Sequence, residues 1–145
     1  MLRKQKMRGF TLLELLIVVA IISIVASLAV ANLQSSKKAA FEVAAIAYLR
    51  TWTAGQELYR ERYGYYADSD QQLISEELIG NPDPDAHGYT FSIDNAARSK
   101  YRWWGQGWPT EQGVTGDRSF FIDSSGVIRY SKNGRANENS PPLGG

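Results

Sequence analysis

Residues 15–36 carry no charged side chain, and 15–31 are aliphatic except for Ser23 and Ser27. Nothing else in this 145-residue chain limits its fold as strongly. Counted from Phe10, the stretch matches the ~20 residues a helix needs to cross a hydrocarbon layer. Ahead of it stand Arg3, Lys4, Lys6 and Arg8, with no acid among residues 1–9. A basic flank of this kind stays on the cytoplasmic side, which places the rest of the chain beyond the membrane.

The helical pattern does not stop with the apolar run. Phe41, Ala45, Tyr48, Trp52, Tyr59 and Tyr63 recur at three-, four- and seven-residue steps, with Gly55 on the same face. Lys37, Lys38, Glu42, Arg50, Glu57 and Arg60 fall mostly off that stripe. A single helix of about 50 residues is then roughly 80 Å long. A domain this small cannot bury it, so its first half must be covered by membrane or by other subunits.

Three kinds of N-terminus fit the basic and apolar pattern. One is a secretory signal with a small-x-small site at Ala29-Val30-Ala31. A second is a plain uncleaved anchor. The third is a signal cut ahead of the apolar stretch. Glu14 separates them, because a carboxylate within an apolar span costs roughly 2–3 kcal/mol near the centre and less toward the end. The first two have no use for it.

Gly9-Phe10-Thr11-Leu12-Leu13-Glu14-Leu15-Leu16, after a short basic leader, resembles the cleavage and methylation motif of type IV pilins and pseudopilins. The resemblance implies that a prepilin peptidase cuts after Gly9 and methylates the new amine of Phe10. It implies that Glu14 pairs with the N-terminal amine of a neighbouring subunit. It also implies residence in the inner membrane, with the C-terminal domain periplasmic, followed by transfer through a membrane assembly platform into an extracellular filament. Its partners would be copies of itself or related pilins, and membrane lipid before assembly.

Elementary electrostatics points the same way. Cleavage after Gly9 puts a positive amine one helical turn from Glu14. Either charge alone is costly in low dielectric, and a pair offsets much of that cost. Within one helix the two are neighbours, so an intrachain pair is also open. Between helices the pair would set the stagger of adjacent subunits. Loss of residues 1–9 removes four cations, leaving 12 basic against 15 acidic side chains where the precursor has 16 against 15. The mature chain is mildly acidic, which disfavours nonspecific nucleic-acid binding.

Beyond the helix, Tyr63-Gly64-Tyr65-Tyr66 reads as its end, with Gly64 as C-cap, and recurs in pilins and pseudopilins. Residues 68–77 suggest a loop and a short helix capped by Ser69 or Asp70, with Leu73, Ile74 and Leu78 inward. Strands are expected over 88–94 and 100–105, and a hairpin over 118–123 and 127–131 that closes at Gly126. Residues 133–145 read as a loop or frayed end. The expected fold is α+β: a small antiparallel sheet on the C-terminal half of one long helix, as in pilins. The divisions expected are a removed leader at 1–9, a membrane and filament-core segment at 10–36, and a globular domain at 37–145.

Other chemistry finds little support. One histidine and no cysteine exclude disulfides, thiol catalysis and any two-histidine site. No cofactor is implied. Asp83, Asp85, His87 and Asp94 offer metal-ligand atoms, but their spacing matches no calcium loop. Among the last twenty residues only Glu138 is acidic, so the C-terminal calcium loop common in major pseudopilins is not supported, and no metal site is assigned. The two-cysteine loop of many major pilins is missing as well. Trp103, Trp104 and Trp108 lie among Lys100, Arg102 and Pro109, a pattern that covers a small sheet or forms a surface patch for sugars or bases. The expected function is a structural pilus subunit serving adhesion, motility or secretion. The alternatives are a type II secretion pseudopilin or a pilus-associated adhesin or DNA-binding minor pilin.

Overall fold

A computed structural model describes residues 9–81, 88–94 and 100–144. Helix α1 runs over Leu12–Tyr63, followed by α2 at Asp70–Ser75. The strands are β1 Tyr89–Asp94, β2 Trp104–Pro109, β3 Ser119–Asp123 and β4 Arg129–Ser131. The fold is α+β and pilin-like. The chain divides into two compact units, Met1–Ser35 and Ser36–Gly145.

In the first unit the aliphatic side chains of α1 find no partners. Leu12, Leu13, Ile17, Val19, Ile22 and Val25 are each 50–82% exposed. The helix is long and apolar enough to cross a membrane. Ser23 and Ser27 turn their hydroxyls back onto the carbonyls of Val19 and Ile24, so the two polar breaks in the run are satisfied within the helix.

In the second unit α1 buries Glu42, Ala45, Tyr48, Leu49, Trp52, Gly55, Gln56 and Tyr59. This is the expected stripe, widened by Leu49 and Gln56, with Phe41 only half-buried at its start. Tyr63 is 41% exposed and leans on Tyr59 and Tyr65 at the helix end. Glu42, expected on the solvent side, is buried. Gly64 ends the helix at φ 79°, donating its N–H to the Arg60 carbonyl at 2.7 Å, as a left-handed C-cap requires. Gln56 then holds the departing chain, accepting from the Ala67 N–H at 2.8 Å and donating to its carbonyl at 3.2 Å.

The short helix α2 is present, with Leu73 buried. Ser69 takes the N-cap position with no side-chain cap bond, while Asp70 accepts from the Gln71 N–H. The sheet is an antiparallel meander in the order β1-β2-β3-β4. Strand β1 alternates as expected, with Tyr89 and Ile93 buried and Thr90, Ser92 and Asp94 outward. Strand β2 lies later than the expected 100–105. Its inward positions are Gly105 and Gly107, which face Ile93 and Phe91 on one side and Ile122 and Phe120 on the other. The absent side chains make room for Trp52, whose ring approaches the Gly105 backbone. Trp52 packs edge-on to Tyr48 and Phe91 and is fully buried. Gly126 closes the β3–β4 hairpin at φ 74°.

The C-terminal segment is a loop, the first of the two expected alternatives, and not a frayed end. It returns over the sheet. Tyr130 donates its N–H to the Pro141 carbonyl, and Leu143 donates to Ile128, so 141–143 cover the free edge of β4. Ala136 is fully buried, its N–H held by the Ser119 hydroxyl at 2.8 Å and its carbonyl by Gln106 at 2.7 Å. Composition alone hid this, because the segment packs through backbone hydrogen bonds more than through apolar side chains.

Candidate functional site

The N-terminal residues form a small polar cluster ahead of an apolar helix. Gly9 and Phe10 precede the first helical turn, and Phe10 is 85% exposed. Thr11 is the N-cap residue, its carbonyl accepting the Leu15 N–H. The Thr11 hydroxyl accepts from the Glu14 N–H at 3.2 Å, and Glu14 Oε2 accepts from the Thr11 N–H at 3.2 Å. The Thr11 hydroxyl also donates to the same Oε2 at 3.2 Å. This is a reciprocal capping box, which satisfies two of the helix's orphan donors and sets a carboxylate at the positive end of its dipole. Gly9, Phe10, Thr11 and Glu14 line one recess.

The capping role was not drawn from the sequence, although Thr-x-x-Glu directly before an apolar run is its signature. It leaves Glu14 Oε1 without a donor among the described residues, while Oε2 accepts both Thr11 donors. A carboxylate has room for further donors at that oxygen. The side chain is thus oriented and still able to accept a proton-bearing group from outside.

The three tryptophans do not form one patch. Trp103 is 1% exposed and sits in the core against Tyr66. Trp104 and Trp108 alternate outward with Gln106 between them. The Arg135 guanidinium lies 3.8 Å from the centre of the Trp108 ring and covers it. Trp104 alone is open, at 37%, stacked on Phe121 with ring centres 5.9 Å apart.

Asp83, Asp85 and His87 lie outside the described residues, and Asp94 ends β1 with its side chain outward. Among the described residues no group of three metal-ligating side chains is assembled. The helix aromatics Tyr48, Trp52 and Tyr59 belong to the core cluster.

Residues 4–30 match the prokaryotic N-terminal methylation motif. Over 94 residues the chain is 38% identical to the type IV wide pilus major component PilA4 of Thermus thermophilus, covering 65% of this chain and 69% of that protein. It is 30% identical over 87 residues to the type II secretion system core protein G of Klebsiella pneumoniae, covering 60% of this chain and 61% of that protein. Against core protein G of Escherichia coli K12 the identity is 35% over 77 residues, 53% of this chain and 52% of that protein. The chain thus spans about half to two thirds of the length of these relatives.

Proposed function

The chain belongs to the type IV pilin and pseudopilin family, whose members are structural subunits and not enzymes, and from that premise we propose that it is a structural subunit of a type IV pilus. It enters the inner membrane as a prepilin with residues 37–145 periplasmic. Prepilin peptidase removes residues 1–9 by cutting after Gly9 and methylates Phe10. A membrane assembly platform then transfers the subunit into an extracellular filament, where residues 10–36 pack helix on helix.

One observation carries this reading: the aliphatic side chains of the first unit are exposed, while Glu14, oriented by the Thr11 capping box with one carboxylate oxygen open, stands at their head. Lipid covers such a surface before assembly, and neighbouring helices cover it afterwards. Because lipid tails and aliphatic side chains are similarly apolar, the exchange is nearly neutral, and polar pairing decides the register. Glu14 Oε1 supplies that pairing toward the amine of a neighbouring Phe10.

Mass spectrometry and N-terminal sequencing of sheared surface filaments test the proposal. The expected subunit begins at N-methylated Phe10. A mature chain beginning at Asn32 refutes it. Glu14→Ala is expected to leave the protein in the membrane while abolishing or sharply reducing its recovery in filaments, and normal filaments from that variant overturn the register mechanism.

Similarity to the core G proteins of type II secretion favours a second reading, a secretion pseudopilin. Deleting the gene separates the two. Loss of surface pili with secretion intact supports the first, and the reverse supports the second.

A further inference from the structure

We propose that the outer face of the sheet carries a binding site for a neutral saccharide, in a recess of about 280 Å³ bounded by Trp104, Gln106, Phe121, Asn137 and Glu138. This goes beyond the pilus reading and does not depend on it. Trp104 supplies a flat apolar platform. Its ring lies within 21° of parallel to that of Phe121, which is itself only 6% exposed, so the platform is anchored from beneath. An immobilised ring loses little rotamer freedom on binding, which is the advantage of preorganisation.

Polar groups stand around this platform. Asn137 is fixed through its own loop, its N–H donating to the Ser140 hydroxyl and its Oδ1 accepting from the Asn139 N–H. Gln106 is fixed by its bond to the Ala136 carbonyl. The Glu138 carboxylate makes no hydrogen bond or ion pair among the described residues, and it borders the recess as a free acceptor. Apolar C–H faces of a sugar ring match the indole, and its hydroxyls match the amides and the carboxylate. A mostly apolar floor with a few convergent polar groups is the general form of a small-ligand site.

Charge selects the ligand class. The recess is lined by one carboxylate and no cation. Of the guanidiniums beside it, Arg135 is committed to Trp108, and Arg129, opposite Phe121 on β4, donates to the Ser140 carbonyl at 3.1 Å and does not line the recess. Nucleic acid and other polyanions need cations to neutralise their phosphates, and an acidic glycan would meet Glu138. Of the three tryptophans only Trp104 remains uncovered, although all three share the same basic and aromatic sequence context. The returning C-terminal segment contributes to this difference: Arg135 lies over the face of the half-buried Trp108, while Asn137 and Glu138 only border Trp104.

The test is saturation-transfer NMR on the full chain in detergent micelles, with chitotriose and maltotriose as probes at about 1 mM. Transfer to sugar ring protons is expected for at least one probe. Trp104→Ala is expected to weaken that binding by about tenfold, and Trp108→Ala to leave it within about twofold. Both variants are checked by their amide spectra for retention of the fold. Should Trp104→Ala unfold, Glu138→Ala decides, since this exposed side chain supports nothing in the fold: weaker sugar binding supports the site, and unchanged binding overturns it. Absence of transfer for both probes, binding unaffected by Trp104→Ala, or salt-sensitive binding of a single-stranded oligonucleotide at Trp104 in place of sugar each overturns the proposal.

Discussion

Glu42 on helix α1 receives Arg118 in a two-point grip, with Nε at 2.9 Å and a terminal guanidinium nitrogen at 2.7 Å from the same Oε2. Its other oxygen accepts the Asp117 N–H at 3.1 Å. The carboxylate thereby ties the loop before β3 to the helix, and the Arg118 guanidinium spreads over the rings of Phe120 and Tyr130. Lys38 adds a more exposed pair with Asp117. Charge-assisted bonds of this kind contribute more than neutral ones, and removing one partner strands the other.

Glu42→Ala is therefore expected to destabilise the second unit by about 2 kcal/mol, less than a deeply buried pair because Arg118 is partly exposed. For a unit of this size that corresponds to roughly 8–15 °C in Tm. Lys38→Ala, which breaks only an exposed pair, should change stability by no more than about 0.5 kcal/mol. Thermal unfolding of the two variants, with an Arg118→Ala double-mutant cycle, checks both statements.

Gly105 is expected to tolerate no side chain. A Cβ there would collide with the Trp52 ring, which is itself fully enclosed. Gly105→Ala should cost about 2–3 kcal/mol through overpacking. Trp52→Leu leaves a cavity and should cost a comparable amount alone. If the collision is the cause, the double variant loses less than the sum of the two, and strictly additive losses in denaturant unfolding would contradict it.

These two contacts show where the sequence was readable and where it was not. The long helix, its stop at Gly64, the alternation through Tyr89, Phe91 and Ile93, and the turn at Gly126 are local patterns, and they appear as expected. Glu42 looked like a solvated charge because its partner stands 76 positions away. Strand β2 was misplaced because Gly105 and Gly107 resemble loop residues until Trp52 and Phe91 are known to press on them. The N-terminal motif was legible at once, as a chemical pattern of adjacent residues. The open state of Trp104 and the cover on Trp108 were not, because both depend on where the C-terminal segment returns.

That segment yields a prediction of its own. The Ser119 hydroxyl donates to the Gly134 carbonyl at 2.6 Å while accepting the Ala136 N–H at 2.8 Å. Ser119→Ala leaves the buried Ala136 N–H without a partner, and the more exposed Gly134 carbonyl without this one, at a cost of about 1–3 kcal/mol. Amide hydrogen exchange should rise across 133–143 and remain slow in the helix stripe around Trp52. Unchanged protection of the segment would show that Ser119 is not what holds it.

Glu76 gives a pH dependence. Hydrogen bonds with Tyr63 and Arg62 hold its carboxyl below the ordinary value of 4.5. The Arg62 contact is 2.6 Å. A carboxyl whose pKa is lower when folded stabilises the fold above its unfolded pKa, and that contribution fades as pH falls through the folded value. Glu76→Gln should therefore lower Tm near neutral pH and converge with the parent once the pH has fallen below the lowered folded value. A Tm difference that is constant from neutral to acid pH would assign the effect to packing instead.

The capping box makes a final, separable prediction about Glu14. Its Oε2 serves the chain's own helix through Thr11, and in the proposed filament Oε1 serves a neighbour's amine. Thr11→Ala removes the N-cap hydroxyl, worth about 1 kcal/mol, and with it one of the two donors that orient the Glu14 carboxylate, leaving only the Thr11 backbone N–H to hold its rotamer. Thr11→Ser retains both bonds. If orientation of Glu14 matters for register, Thr11→Ala should speed amide exchange in the first turn and lower filament yield, while Thr11→Ser restores both. If only the charge of Glu14 matters, Thr11→Ala will fray the turn and leave filament yield unchanged.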